Sequence, residues 1–267
     1  MIEVKFFKPE KTASWLVKQY EIIRSTVDTK MEDKFVPRSD TSLVFHFKAL
    51  PEIAEPLNLI LPQFFVVPLI SKANTIKISG ELDTFIVTCH PSVLSSVFHL
   101  DMSPDPKISI SLPRELFFPL WKKLKPCKST QQRITLFNQF LETIQSEPYK
   151  HDLIDHTYNN IIHSCIIQPL PLILKETPKS LSVIQRNFIK RVGISPKTLT
   201  RIVRANYLID KIKENNVINY QDLVFDGHYY DQSHFIKDFK AITGETPGFY
   251  FKRNLRLTNI LSGKNVK

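Results

Sequence analysis

Two periodicities divide this chain. Between about Thr41 and His90 the apolar residues come in short runs rich in β-branched and aromatic side chains: "LVFHFKAL", "QFFVVPLIS", "NTIKIS" and "DTFIVTCH". Pro, Asn-Thr or Gly-Glu separates them. Runs of this kind fit pleated, half-buried strands and predict a small antiparallel sheet or barrel. From Pro91 onward the apolar spacing changes to i, i+3, i+4. Pro91 is placed to open a helix whose stripe is Val93, Leu94, Val97 and Phe98. After a loop or edge strand at "SPDPKISISLP", the segments "PRELFFPLWKKL", "STQQRITLFNQFLETIQ" and "DLIDHTYNNIIHSCII" read as helices, with Ser129 or Thr130 capping the second. A further amphipathic helix is predicted near Thr12–Ile23. The fold class is therefore α+β: an N-terminal β-rich sheet or barrel domain with flanking helices, then an all-α part.

The all-α part contains a repeat at an offset of 51 residues. Phe188 precedes Gly193 and Pro196 as Phe239 precedes Gly244 and Pro247. In the same register Arg186 matches Lys237, Ile184 matches Phe235, Ser182 matches Ser233, and Ser180 matches Asp231. The physics of each copy is the same. Ser180 or Asp231 can satisfy the unpaired N–H groups of a first turn. Ile184/Phe188 and Phe235/Phe239 share one face at i, i+4. Gly193 and Gly244 can close the helix in the left-handed conformation. A short helix precedes each copy. The first is Pro169–Lys175, turned by "ETPK"; the second is Tyr220–Asp226, with Asn219 as N-cap and Gly227 at its end. Helix, tight turn and capped helix make a helix-turn-helix. In the second copy Gly227 and two tyrosines form the turn, and "DQSH" is polar because the head of the next helix points outward. Between the copies "SPKTLTRIVRANYLIDKIKENN" predicts one long helix capped by Ser195, with Leu199, Ile202, Val203, Ile209 and Ile212 as its buried stripe. Successive major-groove faces of DNA lie about 34 Å apart, a distance two units on one rigid helix can span.

Composition sharpens this. The chain has 267 residues and a net charge of +10. Residues 180–267 hold 15 Lys/Arg against 7 Asp/Glu, which places eight of those ten charges in the last third. A basic end on a near-neutral body favours a polyanion such as nucleic acid. No 18-residue apolar run and no signal-peptide core is present, so no membrane partner is expected and a cytoplasmic location is. Cys89, Cys127 and Cys165 are too sparse for a disulfide framework or a CxxC metal site. With 6 glycines a phosphate-cradling loop is not expected, and neither is a cofactor, a metal or a catalytic residue. One enzymatic alternative remains: Cys89–His90, with His46 or His99 near, as a nucleophile pair or metal site, which would suit a DNA-repair alkyltransferase. The plain alternative is a buried cysteine at a strand end. Trp15, Phe45, Phe64, Phe65 and Phe85 are candidates for an effector pocket, or plain core.

Residues from about 168 to 253 resemble the DNA-binding domain of AraC-type transcriptional regulators. "YYDQSHFIKDFKAITGETPGFY" is close to that family's signature, and "NFIKRVGISP" resembles its first-half counterpart. Ile173 and Val224 stand where the family usually carries a small Ala at the helix crossing. "FIVTCHPSVLSSVF" and "LFFPLWKKLKPCKSTQQRITLFNQFL" resemble, more weakly, a β-rich domain that precedes this unit in some members and typically senses a ligand or mediates association. The expected division is 1–112 β-rich effector or association domain, 113–166 helical linker, 167–256 DNA-binding domain and 257–267 basic tail. Residues two, three and six before Phe188 face outward: Arg186, Gln185 and Ser182. Their counterparts are Lys237, Ile236 and Ser233, flanked by Gln232 and His234. Arg suits guanine and Gln adenine. The family's base contacts fall at matching positions, which implies roles for Ser182, Gln185, Arg186, Ser233, His234 and Lys237; Ile236 is read as packing. Lys190, Arg191, Lys240, Lys252 and Arg253 are read as phosphate contacts. The expected partners are double-stranded DNA, RNA polymerase, an unidentified small-molecule effector and a second copy of the chain. A protein-interaction module that no longer binds DNA is the other alternative.

Overall fold

A computed structural model describes residues 2–54, 57–103, 108–145, 147–175, 180–215, 220–227 and 229–252. Among them, seven strands form one antiparallel sheet: β1 (Glu3–Phe7), β2 (Val17–Phe35), β3 (Thr41–His46), β4 (Glu52–Ile53), β5 (Leu59–Ile60), β6 (Phe64–Val67) and β7 (Asn74–Cys89). The main order is β1-β2-β7-β3-β6, and β4 pairs with β5 and the first half of β7.

Two sequence expectations are corrected here. The helix expected near Thr12–Ile23 is absent, because residues from Val17 belong to β2. Register gives the reason. Tyr20 and Ile22 pair with Val87 and Phe85, while Glu21 and Ile23 pair with Ile86 and Thr84, and all four β2 residues are buried. A strand covered on both faces loses strict alternation, and its apolar residues then imitate helical spacing. Likewise "NTIKIS" and "DTFIVTCH" are one strand, β7, running through Gly80. The register of β2 against β7 shifts between Ser25 and Thr29, beside that glycine, so Gly80 marks a bulge rather than a turn.

The sheet has two unlike faces. Tyr20, Phe45 and Phe85 pack against Phe137 of helix α3 (Thr130–Ile144), and Phe45 also against Phe117 of α2 (Arg114–Leu124). Helix α1 (Pro91–Val97) adds Val93 and Leu94 to this core. The opposite face, with Val44, Phe65, Ile78 and Ile86, lines a cavity of about 260 Å³. Phe45 and Phe85 are thus core; of the five aromatic pocket candidates, Phe65 lines the cavity.

The remaining helices are α4 (Leu153–Ser164), α5 (Leu170–Lys175), α6 (Leu181–Val192), α7 (Pro196–Asn215), α8 (Tyr220–Asp226), α9 (Gln232–Thr243) and α10 (Pro247–Tyr250). Helix α7 organises them. Leu199 and Ile202 in its first half share a core with Phe188 and Val192 of α6 and with Tyr158 and Ile161 of α4. Leu208, Ile209 and Ile212 in its second half share another with Leu223 of α8 and Phe235 and Phe239 of α9. Ser195 caps α7 by accepting from Thr198 N at 3.1 Å.

Candidate nucleic-acid interface

Helices α6 and α9 each run for 12 residues and carry the repeat. Both end at a left-handed glycine, Gly193 at φ 97° and Gly244 at φ 80°, a conformation that costs a side chain about 1–2 kcal/mol. At the head of α9, Asp231 accepts from His234 N at 2.7 Å. Ser180 occupies the matching cap position of α6 without a side-chain cap bond. Ile184, Phe188, Phe235 and Phe239 are buried. On α6, Ser182, Gln185, Arg186 and Lys190 are exposed. On α9, Gln232, Ser233, His234, Lys237 and Lys240 are exposed, as is Lys252 beyond α10. Ile236 packs against the second core. Arg253, the Asn219 cap, the 176–179 turn and the 257–267 tail lie outside the described residues.

Arg191 requires a correction. Its guanidinium donates to Asp152 Oδ2 at 2.7 Å, Asp155 Oδ1 at 3.2 Å and Ser92 O at 2.6 and 3.0 Å. It stands at the inward corner of the last turn of α6, facing α1 and α4, so its charge is committed inside the protein rather than offered to phosphate. The same acids form the capping box that starts α4. Burial alone would raise the pKa of Asp152, but Arg191 and the backbone N–H groups outweigh it and hold the carboxyl below its ordinary value.

The two tyrosines of the turn have separate fates. Tyr229 is buried, its ring against Phe235 and its hydroxyl donating to Asp238 Oδ2 at 3.2 Å. Burial, with Asp238 adding to it, pushes its pKa upward. Arg201 of α7 pairs with the same Asp238, so a charged clamp ties α9 to the helix beneath it. Tyr230 is 92% exposed beside Gln232–His234 and joins the outward surface. Sequence reading missed this clamp and Tyr230; the doubled tyrosine was the available signal.

Donors from the N-terminal region reach the carbonyl ends of both helices. Met102 N donates to Lys190 O at 2.8 Å, and Ala73 N to Ile242 O at 2.8 Å. Lys34 Nζ lies 3.4 Å from Thr243 O and 2.7 Å from Glu245 Oε1.

Cys89 is fully buried, and burial pushes its thiol far above the ordinary range, while burial and Lys18 lower His90 to about 4. A thiol held protonated and out of reach is no nucleophile. Among the described residues no helix is long and apolar enough to cross a membrane.

Each of the two 12-residue helices follows a short one, α5 before α6 and α8 before α9. Residues 174–253 match the family model described as a helix-turn-helix domain. That domain is of the AraC type, a DNA-binding domain of transcription regulators. Similar solved structures include ToxT from Vibrio cholerae, 12% identical over 94% of this chain and 97% of that one, with a TM-score of 0.45. Another is ToxT from Vibrio cholerae O395 bound to (E)-4-(8-methylnaphthalen-1-yl)but-3-enoic acid, at 11% identity, 94% and 98% coverage and TM-score 0.46. The AraC-like transcriptional activator CuxR is 8% identical over 98% of this chain and 88% of that one, at TM-score 0.26. No curated protein sequence matches the chain.

Proposed function

We propose that the chain is a sequence-specific regulator that reads two neighbouring major-groove segments with α6 and α9, and that its β domain receives a small-molecule effector. The observation that carries the first part is the placement of α6 and α9 on opposite halves of one 20-residue helix, with Ser182, Gln185, Arg186, Ser233, His234 and Lys237 exposed. Such a helix is about 30 Å long, close to the ~34 Å between successive groove faces. Ser182, Gln185, Arg186, Ser233, His234 and Lys237 are the base-reading set. Lys190, Lys240 and Lys252 hold the backbone, since phosphate contacts position without reading sequence.

Selection of bound duplexes from a random pool tests this. Two half-sites about one helical turn apart are expected. On the selected duplex Arg186→Ala costs about 1–3 kcal/mol and relaxes one base position, whereas Lys252→Ala weakens selected and random duplexes alike. Equal losses on both duplexes for Arg186→Ala would overturn the assignment. A chain that ignores DNA altogether would leave it a protein-interaction module.

A further inference from the structure

Tyr230 is the most exposed aromatic side chain among the described residues, at 92%. Its side chain makes no hydrogen bond or ring contact among them. Its neighbours on both sides are fixed. Tyr229 N donates to Val224 O at 3.0 Å, its ring packs on Phe235, and its hydroxyl donates to Asp238. Gly227 leaves room for that ring, since a Cβ there would lie 2.7 Å from it. On the other side Asp231 accepts from His234 N and starts α9. A chain pinned at both neighbours holds the residue between them at one place on the surface. The Tyr230 phenol therefore projects from a fixed base, and with only two side-chain torsions it loses little freedom on contact.

Its place along the chain says what it can reach. Residues 230–234 form a continuous exposed run. Gln232–His234 open the helix, and the first residues of a helix laid in the major groove meet base edges. Tyr230 stands before the cap, where the chain leaves the turn and passes the wall of the groove. That wall is sugar and phosphate. A phenol offers one donor hydrogen and an apolar ring. The first suits a phosphate oxygen, and the second suits the C–H groups of deoxyribose. It lacks the paired groups with which Arg or Asn tells one base from another.

We infer that Tyr230 is a further DNA contact of the α9 unit. Its hydroxyl donates to one backbone phosphate of the α9 half-site, and its ring covers the adjoining sugar. The inference rests on α9 as a DNA-reading helix and adds a neutral grip to the charged ones of Lys240 and Lys252.

Binding of the full chain to its selected duplex, with single methylphosphonate substitutions scanned along the α9 half-site, tests this. Tyr230→Phe should bind about tenfold more weakly, the worth of one hydrogen bond to a charged group. The loss should be the same on duplexes carrying single base changes, so the order of preferred bases is kept. The slope of log affinity against log salt should stay that of the parent, because a phenol replaces no counterion. At one phosphate the methylphosphonate should weaken the parent about tenfold and hardly affect Tyr230→Phe, since the bond it removes is already gone. Tyr230→Phe equal to the parent, a changed base preference, or losses that add at every phosphate would overturn the inference and leave α9 as the reading helix. A parent chain that binds no duplex would remove the function read from both helices, and this contact with it.

Discussion

Arg133 shows how much one side chain can decide. It is fully buried in α3, donates to both oxygens of Asp83 at 2.6 and 2.7 Å, donates to Leu124 O at 3.2 Å and lies 4.1 Å over the Phe47 ring. A charge so placed needs its partner, because removal of one member leaves the other uncompensated, at about 3–5 kcal/mol. Asp83→Asn should therefore lower the unfolding free energy obtained from urea titration by about 3–5 kcal/mol at pH 7. The pH response has a definite sign. Burial acts to raise the Asp83 pKa, but Arg133 and Arg24 outweigh it and hold it below 3.8. Stability from this pair is full above the unfolded value of about 3.9 and is lost as pH falls through the lower folded value. Asp83→Asn should flatten that acid limb of the stability curve. Nothing in the sequence marks Arg133 as the cation that is buried, since its partner lies 50 positions away.

At the scale of elements, the clamp between α7 and α9 fixes how α9 sits on the helix beneath it. Asp238 accepts from both Arg201 and Tyr229, so Asp238→Ala leaves a cation and a buried hydroxyl without their acceptor, at about 1–3 kcal/mol. The first unit has its own core on the other half of α7. Hydroxyl-radical footprinting of the selected duplex should show the α9 half-site losing protection in Asp238→Ala while the α6 half-site keeps it. What was legible in the sequence divides along the same line. Ser195, Asp231, Gly193 and Gly244 were readable because a cap acts within its own turn, and Phe188 and Phe239 because a buried face repeats every three or four residues. The clamp was not readable, since Arg201 and Asp238 are 37 residues apart. Strand β2 was misread because burial on both sides erases its alternation. Alternation does separate Phe45 from His46, but it cannot say which side the helices cover and which side stays hollow.

Across the whole molecule, the region before the helix-turn-helix domain is part of its support. Tyr158 and Ile161 of α4 complete the core under α6, and Val36 reaches the core under α9. Met102, Ala73 and Lys34 meet the carbonyl ends of α6 and α9, which are the acceptors a helix cannot satisfy itself. The bonds from Arg191 to Asp152 and Asp155 belong to the same docking. They also have a consequence for the ions around the duplex. A cation that neutralises a phosphate releases condensed counterions, and each such contact steepens the fall of log affinity with log salt by about 0.9. Arg191 already has its anions within the chain and should release none. Titrations between about 50 and 200 mM salt should give Lys252→Gln a shallower slope by about 0.9 and Arg191→Gln the parent slope. An Arg191→Gln slope that drops by the same step would mean that DNA draws the arginine away from its own acids, and that the docked arrangement opens on binding.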